Sequence, residues 1–388
     1  IMSYDSYCLT NCYSLKDDAD AATAGGFVAY SSEVDTWDWD ALRLVRAFDG
    51  GPEECTFVTV HFEIESNTPA LVAAYADVFG ALDAASLPGV VAALARLKGV
   101  LERIIVAQLK MFNASDPANY EKYVRPWIFG WRGNPDFKTG VTFEGTGMVG
   151  TQLRGETGAQ SSIVPSMDIM MGITHRADAL RVMLAELEAY RPAPQRAFLS
   201  ALRTAMWGTD AGAGLARAAP DASGGAGTSG APVVVPETAD DMEVPHRLRD
   251  FVRASRDPAA VRAFNECIAA VWAFRDIHVT FSALYIGRYT DRETATGGTP
   301  YKAYLRKHRD ESMSHQLTEL GDECRVRPAV PTQAQFAADL DAVADPSTPN
   351  GIPAHLLARH ADIIARHGRG SPALSRKSFP SRAAWTGL

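Results

Sequence analysis

The stretch WAFRDIHVTFSALYI (272–286) holds one histidine, His278, in an apolar run rich in aromatic residues. Three chemistries use a histidine in such a setting. A serine hydrolase needs a nucleophile on a sharp strand-to-helix turn, and the GxSxG signature of that turn does not occur in the chain. A zinc centre needs further His, Cys or carboxylate ligands at short spacing, as in HExxH, and none accompanies His278. The third is axial ligation of a haem iron, where the porphyrin supplies four ligands and one imidazole on an apolar helix face suffices. Beside these stands the plain core histidine, the commoner role on an apolar face. From the residues alone, core packing and haem ligation both remain open. His355, His360 and His367 are five and seven residues apart, off the helical i, i+4 repeat, and read as exposed tail histidines.

Two other stretches carry chemistry. ETATGGTPYKAYLRKHRD (293–310) places a glycine pair between threonines, a loop whose backbone N–H and hydroxyl groups can approach a polar ligand closely. The same pattern also suits a plain loop before a helix. YEKYVRPWIFGWRGNP (120–135) sets Arg125 at an aromatic helix end, where its planar fork suits either a substrate carboxylate or a structural acid.

These residues need elements to position them. Val91, Leu94, Leu97, Val100, Leu101, Ile104, Ile105 and Leu109 recur at helical spacing after a break at SLPG, the mark of a buried helix face. Phe264, Ile268, Val271, Phe274, Phe281 and Tyr285 form a second stripe that contains His278, with Asp257 as N-cap and Pro258 as first helical residue. A helix is expected after Ser161 or Ser162, with Pro165 in its first turn. Residues 126–160 are dense in glycine and aromatics and predict irregular backbone. A stretch rich in Gly, Ala, Ser and Pro (208–243) reads as a mobile surface insertion, because it cannot bury enough apolar surface to order itself. Strand-like alternation is scarce and no internal repeat is found. The expected fold is all-α, with residues 1–50 as a small N-terminal part, 51–325 as the main helical domain and 326–388 as a C-terminal extension.

Composition narrows the function classes. The 388 residues carry a net charge of −8, which argues against nucleic acid as a partner. The locally basic tail from Arg359 to Arg382 reads as solvated. Five cysteines form no paired CxxC motifs, and with no apolar run long enough to span a bilayer or act as a signal peptide, the expected setting is cytoplasmic, with no membrane partner.

Set side by side, GWRGNP, TFEGT, GAQSS with MDIMMGI, YRPAPQRAFLSAL, FRDIH and TGGTPYKAYLRKHRD occur in the order and rough spacing of the indoleamine 2,3-dioxygenase family, from about Tyr30 to Ser312. The chain therefore resembles that family. The resemblance implies an all-helical haem-binding catalytic domain, here with a reduced N-terminal small domain. It implies haem b (iron) as cofactor, O2 as co-substrate and an electron donor that keeps the iron ferrous. The implied reaction inserts O2 across the indole C2–C3 bond of L-tryptophan or a related indoleamine to give N-formylkynurenine, the first step of tryptophan catabolism.

On the same resemblance, the proximal ligand falls on His278, and Arg275 and Asp168 are expected to pair beneath the haem. Thr157, Gly158 and Ala159 are expected near its distal face. Arg125 corresponds to the arginine that receives the substrate carboxylate, and Thr296, with Gly297 and Gly298, to the loop that holds the amino-acid head group. No acid–base residue is implied, since haem-bound oxygen carries the chemistry. The sequence departs from the family in the indole pocket: Tyr120 stands where the family has phenylalanine, and Glu121 follows it in place of an aromatic residue. Thr59 takes the small polar position beside the indole N–H, with His61 two residues on. These departures leave two alternatives: a haem-dependent tailoring oxygenase acting on a modified indole or another aromatic amino acid, and a non-catalytic haem-binding or sensor member.

Overall fold

In the computed structural model the described residues are 42–132, 134–175, 179–216, 244–291, 294–298, 301–344 and 351–368, with isolated positions before 42. They are predominantly helical. In chain order the helices are α1 (Pro52–Ser66), α2 (Thr68–Asp83), α3 (Leu87–Leu109), α4 (Ile163–Met171), α5 (Ala179–Glu188), α6 (Ala193–Ala216), α7 (Arg247–Ser255), α8 (Pro258–Phe281), α9 (Tyr301–Met313), α10 (Gln333–Ala344) and α11 (Ala354–His367). Two small antiparallel pairs accompany them, β1 (Cys12–Ser14) with β2 (Leu42–Leu44) and β3 (Val141–Phe143) with β4 (Met148–Thr151). The chain divides into two compact units. One comprises Ile1–Asp5, Arg125–Asp250 and Asp291–His315; the other comprises Ser6–Val124, Phe251–Thr290 and Gln316–Leu388.

In the second unit α3 is the central helix, with α1, α2, α8 and α11 packed on it. It starts where Ser86 Oγ accepts a hydrogen bond from Gly89 N at 3.2 Å, just ahead of Pro88. Leu94, Leu97, Leu101, Ile104 and Ile105 are all buried to within 3%. Side chains of this kind contribute roughly 1.5–3 kcal/mol each on full burial. Helix α8 begins as its sequence requires: Asp257 Oδ1 accepts from Ala260 N at 2.8 Å, and Pro258 opens the first turn. Phe264, Ile268 and Val271 are fully buried, while Phe274 and Phe281 are half-buried. With the π-turn that follows, Pro258–Gly287 is long and apolar enough to cross a membrane by length and composition, but most of it is buried inside the protein, as befits a core helix.

The C-terminal segment differs from its sequence reading. The three histidines expected on an exposed tail belong to or adjoin α11 and are tied into structure. His360 is only 2% exposed, His355 Nδ1 lies 2.7 Å from Asp339 Oδ2, and His367 Nε2 lies 3.0 Å from Glu102 Oε2. Burial, with Arg359 and His355 nearby, pushes the His360 pKa down to about 4. Arg359 and Arg366, expected to be solvated, are both ion-paired. Residues 369–388 lie outside the described residues. All five cysteines are free and buried.

In the first unit α4 packs against α6. Helix α4 follows Ser162, as expected, and stops at Gly172, whose φ of 67° is left-handed and favours glycine. The expected insertion does not begin at 208: α6 continues to Ala216 past a non-helical Gly208, and 217–243 lie outside the described residues. The described residues of 126–160 are irregular as predicted, made of 3-10 turns and the β3–β4 hairpin.

Candidate active site residues

In the first unit three backbone segments cross at Gly155. A Cβ there would lie 2.5 Å from Gly130 N and closer still to the carbonyl oxygens of Ile128 and Thr296. Only glycine admits that approach. The crossing brings together the turn that carries Arg125, the segment 155–160 and the TGGT loop. Arg125 is 1% exposed; its Nη2 donates to Thr294 O at 3.4 Å and its guanidinium lies over the Phe129 ring, 4.8 Å from the centroid. Thr296 Oγ1 donates to Glu156 O at 2.8 Å. Gly297 has no room for a side chain, since a Cβ would meet Thr157 Cγ2 at 2.8 Å, and Gly298 has a φ of 84°. Thr157 caps the turn Gly158–Gln160, its Oγ1 accepting from Ala159 N at 3.3 Å. Thus Arg125, Thr296, Gly297, Gly298, Thr157, Gly158 and Ala159 share one loop cluster.

In the second unit, His278 sits on α8 between Ile277 and Val279, both buried. The residue is exposed, yet burial is the largest cause of a pKa pushed down to about 4, with His61 and Arg275 adding to it. Neither ring nitrogen has a hydrogen-bond partner among the described residues; the side-chain bond at this residue is Ser282 Oγ donating to its backbone carbonyl, 3.0 Å. A neutral imidazole with an uncommitted lone pair on an otherwise buried, apolar helix is the form that ligates a metal. Its uncommitted ring nitrogens are free of any protein partner that a haem iron would have to displace. Arg275 is half-buried on the same helix.

Tyr120 is buried and opens the π-turn Tyr120–Val124, its ring 5.5 Å from Phe57 and 5.7 Å from Tyr285 in an edge-on contact. Glu121 is half-buried, and its Oε2 is shielded from solvent rather than pointing outward. Thr59 is fully buried, with no hydrogen-bond partner for its hydroxyl among the described residues. His61, two residues along α1, is half-buried, its Nδ1 2.7 Å from Phe57 O and its ring 4.2 Å from that of Phe57. Two residues on a helix are about 200° apart, so Thr59 and His61 face opposite ways. His61 is the one whose charge is felt at His278.

A sequence model of the indoleamine 2,3-dioxygenase family matches residues 1–318. The chain belongs to that family. Indoleamine 2,3-dioxygenase 1 of Rattus norvegicus is 24% identical over 297 residues, covering 72% of this chain and 63% of the relative. Indoleamine 2,3-dioxygenase 2 of Mus musculus is 23% identical, covering 71% and 62%. A 6-hydroxytryptophan 2,3-dioxygenase of Fusarium equiseti is 23% identical, covering 66% and 54%. The chain thus spans less than two thirds of the length of these relatives.

In this indoleamine 2,3-dioxygenase family member, sequence reasoning missed the cations that hold the loop cluster. Arg154 Nη1 donates to Gly297 O at 3.0 Å and its Nη2 to Glu186 Oε2 at 2.7 Å. Arg191, 5% exposed, donates to the carbonyls of Ala159 and Ser161 at 2.9 and 3.0 Å. Arg154 lies in the irregular glycine-rich stretch, and Arg191 stands in the motif YRPAPQRAFLSAL without any spacing that marks its role. Asp168 Oδ2 lies 3.7 Å from His175 Nε2. There His175 Nδ1 meets Glu311 Oε2 at 2.9 Å, and its ring stacks on His308 at 3.8 Å and 7°. Ligand atoms of His175, His308 and Glu311 come within 4.8 Å of one another. An imidazole lone pair lies in its ring plane, and two stacked parallel planes share no point for one ion. The cluster is a packed, hydrogen-bonded one.

Proposed function

We propose that this protein is a haem b-dependent dioxygenase acting on L-tryptophan or a close indoleamine. The observation that carries the reading is His278: a neutral imidazole without an internal hydrogen bond on the apolar helix that the family motif FRDIH marks. When bound, haem iron supplies the binding and activation of O2, both atoms of which enter the product across the indole C2–C3 bond. An external electron donor keeps the iron ferrous.

The remaining work falls to the chain. Arg125 binds the substrate carboxylate with two charge-assisted bonds, its fork already held by Thr294 O and the Phe129 ring so that little rotamer entropy is lost on binding. Thr296 commits its hydroxyl hydrogen to Glu156 O, so the lone pairs of Oγ1 face outward as acceptors for the substrate ammonium. Gly297 and Gly298 let that loop approach without a side chain in the way. Arg275, Asp168 and Thr157–Ala159 are the residues that the family resemblance assigns to holding haem. The aromatic group Phe57, Tyr120 and Tyr285 excludes water.

A second reading, a hydroxylated or otherwise substituted indole as substrate, is favoured by Tyr120 and by the shielded Glu121 oxygen, which add polar groups where a plain indole needs none. The 6-hydroxytryptophan 2,3-dioxygenase among the relatives supports this reading.

The test is reconstitution with haemin, reduction, and mixing with O2 and L-tryptophan, with N-formylkynurenine followed by near-ultraviolet absorbance. The wild type is expected to develop a Soret band and turn over, and His278→Ala to lose the band. No haem uptake by the wild type, or uptake untouched by His278→Ala, overturns the proposal. Turnover of 6-hydroxytryptophan with none of tryptophan selects the second reading.

A further inference from the structure

The family match ends at residue 318 of 388, and the chain beyond it supplies a helix that grips the one carrying His278. Arg359 on α11 is the grip. Its Nη1 donates to the Asp276 carboxylate, its Nη2 to Ala329 O, and its guanidinium lies over the Trp272 ring, 5.0 Å from the centroid. The Arg359 and Asp276 side chains are only 7% and 5% exposed. A second anchor holds α11 to α3, where Arg366 Nη2 donates to Glu102 Oε1 at 2.8 Å beside the His367 contact.

Trp272 and Asp276 are one helical turn apart and share a face of α8. His278 is two residues on, about 200° around the axis, so the grip acts on the side of α8 away from the imidazole. A buried guanidinium–carboxylate pair with a stacked ring resists rotation and sliding of α8, because each would break the aligned ion pair and lift the guanidinium off the Trp272 ring. An axial ligand must meet its metal at a fixed angle and depth. We propose that Arg359 is a positioning residue for His278: the C-terminal extension, absent from the family match, sets the presentation of the imidazole to the haem iron and thereby how tightly haem is held. This rests on the haem reading of His278.

The test uses the full-length, haem-loaded protein and two variants, Arg359→Ala and Arg359→Lys. The readouts are the rate of haem transfer to apomyoglobin, the iron–histidine stretching band of the ferrous protein by resonance Raman, and the melting temperature. Arg359→Ala is expected to lose haem roughly tenfold faster and to show a shifted or broadened band, the consequence of losing the Arg359–Asp276 pair beside the ligand. Arg359→Lys, which keeps the charge but cannot reach both Asp276 and Ala329, is expected to fall between. If Arg359→Ala does not fold, Arg359→Lys decides. A lower melting temperature with wild-type band and haem-loss rate makes Arg359 merely structural and overturns the proposal. A wild type that takes up no haem refutes the haem reading itself, a result visible before any variant is compared.

Discussion

Gly155→Ala is the most direct perturbation of the loop cluster, and its cost follows from the geometry. The added methyl would sit 2.5 Å from Gly130 N and nearer still to two carbonyl oxygens, where van der Waals contact begins above 3 Å. All three neighbours are backbone, so none can swing aside as a side chain would. Each segment is also tethered, by Trp131 N to Leu153 O at 3.1 Å, Thr296 Oγ1 to Glu156 O at 2.8 Å and Arg154 Nη1 to Gly297 O at 3.0 Å. Overpacking costs about 1–3 kcal/mol where side chains can adjust. Fixed backbone puts this site at the upper end, and losing one tether adds about 1 kcal/mol. Restricting the unfolded chain returns about 0.4–1 kcal/mol. The net destabilisation is about 3 kcal/mol, read from urea unfolding with an unchanged m-value. The paired control is Gly99→Ala, in mid-α3 with nothing within 4 Å of its Cβ, where the same change should stabilise by up to about 1 kcal/mol. Substrate affinity should fall in Gly155→Ala because Arg125 and Thr296 are pushed apart, while haem uptake through His278 persists. Equal stability of Gly155→Ala and wild type, or the same sign for both variants, would refute the reasoning.

Two further predictions concern charge. Arg125→Lys keeps the cation but loses the fork, and is expected to raise KM for tryptophan roughly 10- to 100-fold, equivalent to about 1.5–3 kcal/mol, with the Soret band unchanged; an unaltered KM removes Arg125 from substrate binding. His246 is fully buried, its Nε2 2.9 Å from Ile169 O and its Nδ1 accepting from Arg249 N at 3.1 Å, so both nitrogens are used by the neutral ring. Burial above all pushes its pKa down from 6.5 to about 4. Below pH 6.5 the unfolded chain takes up a proton that the folded one refuses, so stability falls as pH drops towards 4. At 1.36 kcal/mol per pH unit this amounts to at most about 3 kcal/mol. The difference in unfolding free energy between wild type and His246→Gln, measured across this range, should follow that slope; a flat difference curve contradicts the assignment.

How much of this was legible beforehand depended on whether a residue's role left a periodic trace. The cap of α8 did, since Asp257 followed by Pro258 is a local signal that tertiary structure had no reason to override. So did the stripes of α3 and α8, because a helix buried on one face must repeat at 3.6 residues. His278 lay within such a stripe and stayed ambiguous between packing and ligation. What bears on the choice is the lack of a protein partner for its ring, which sequence cannot express. The loop cluster was legible only as a set of motifs; that they converge depends on Gly155, one glycine among many in that stretch. Asp168 shows the opposite case, a motif residue whose surroundings, His175 and the stacked His308, come from segments that carry no shared pattern.

The C-terminal extension was misread for a physical reason that bears on its role. Charge at a chain end ordinarily means solvation, and Arg359, Arg366, His360 and His367 together look like a soluble tail. Yet Leu356 and His360, four residues apart, form the buried edge of α11, and the charges on its flanks find acids on α8 and α3. A helix that docks through ion pairs hides its apolar stripe behind the residues that make it look exposed. Burying the Arg359–Asp276 pair gains little net stability over an apolar contact of the same shape, since desolvating two charges offsets most of their attraction. What such a pair fixes is geometry, because a guanidinium fork on a carboxylate has one good alignment where an apolar contact has many. The pair lies one turn or less from His278, at the place on α8 where an alignment error would reach the imidazole first.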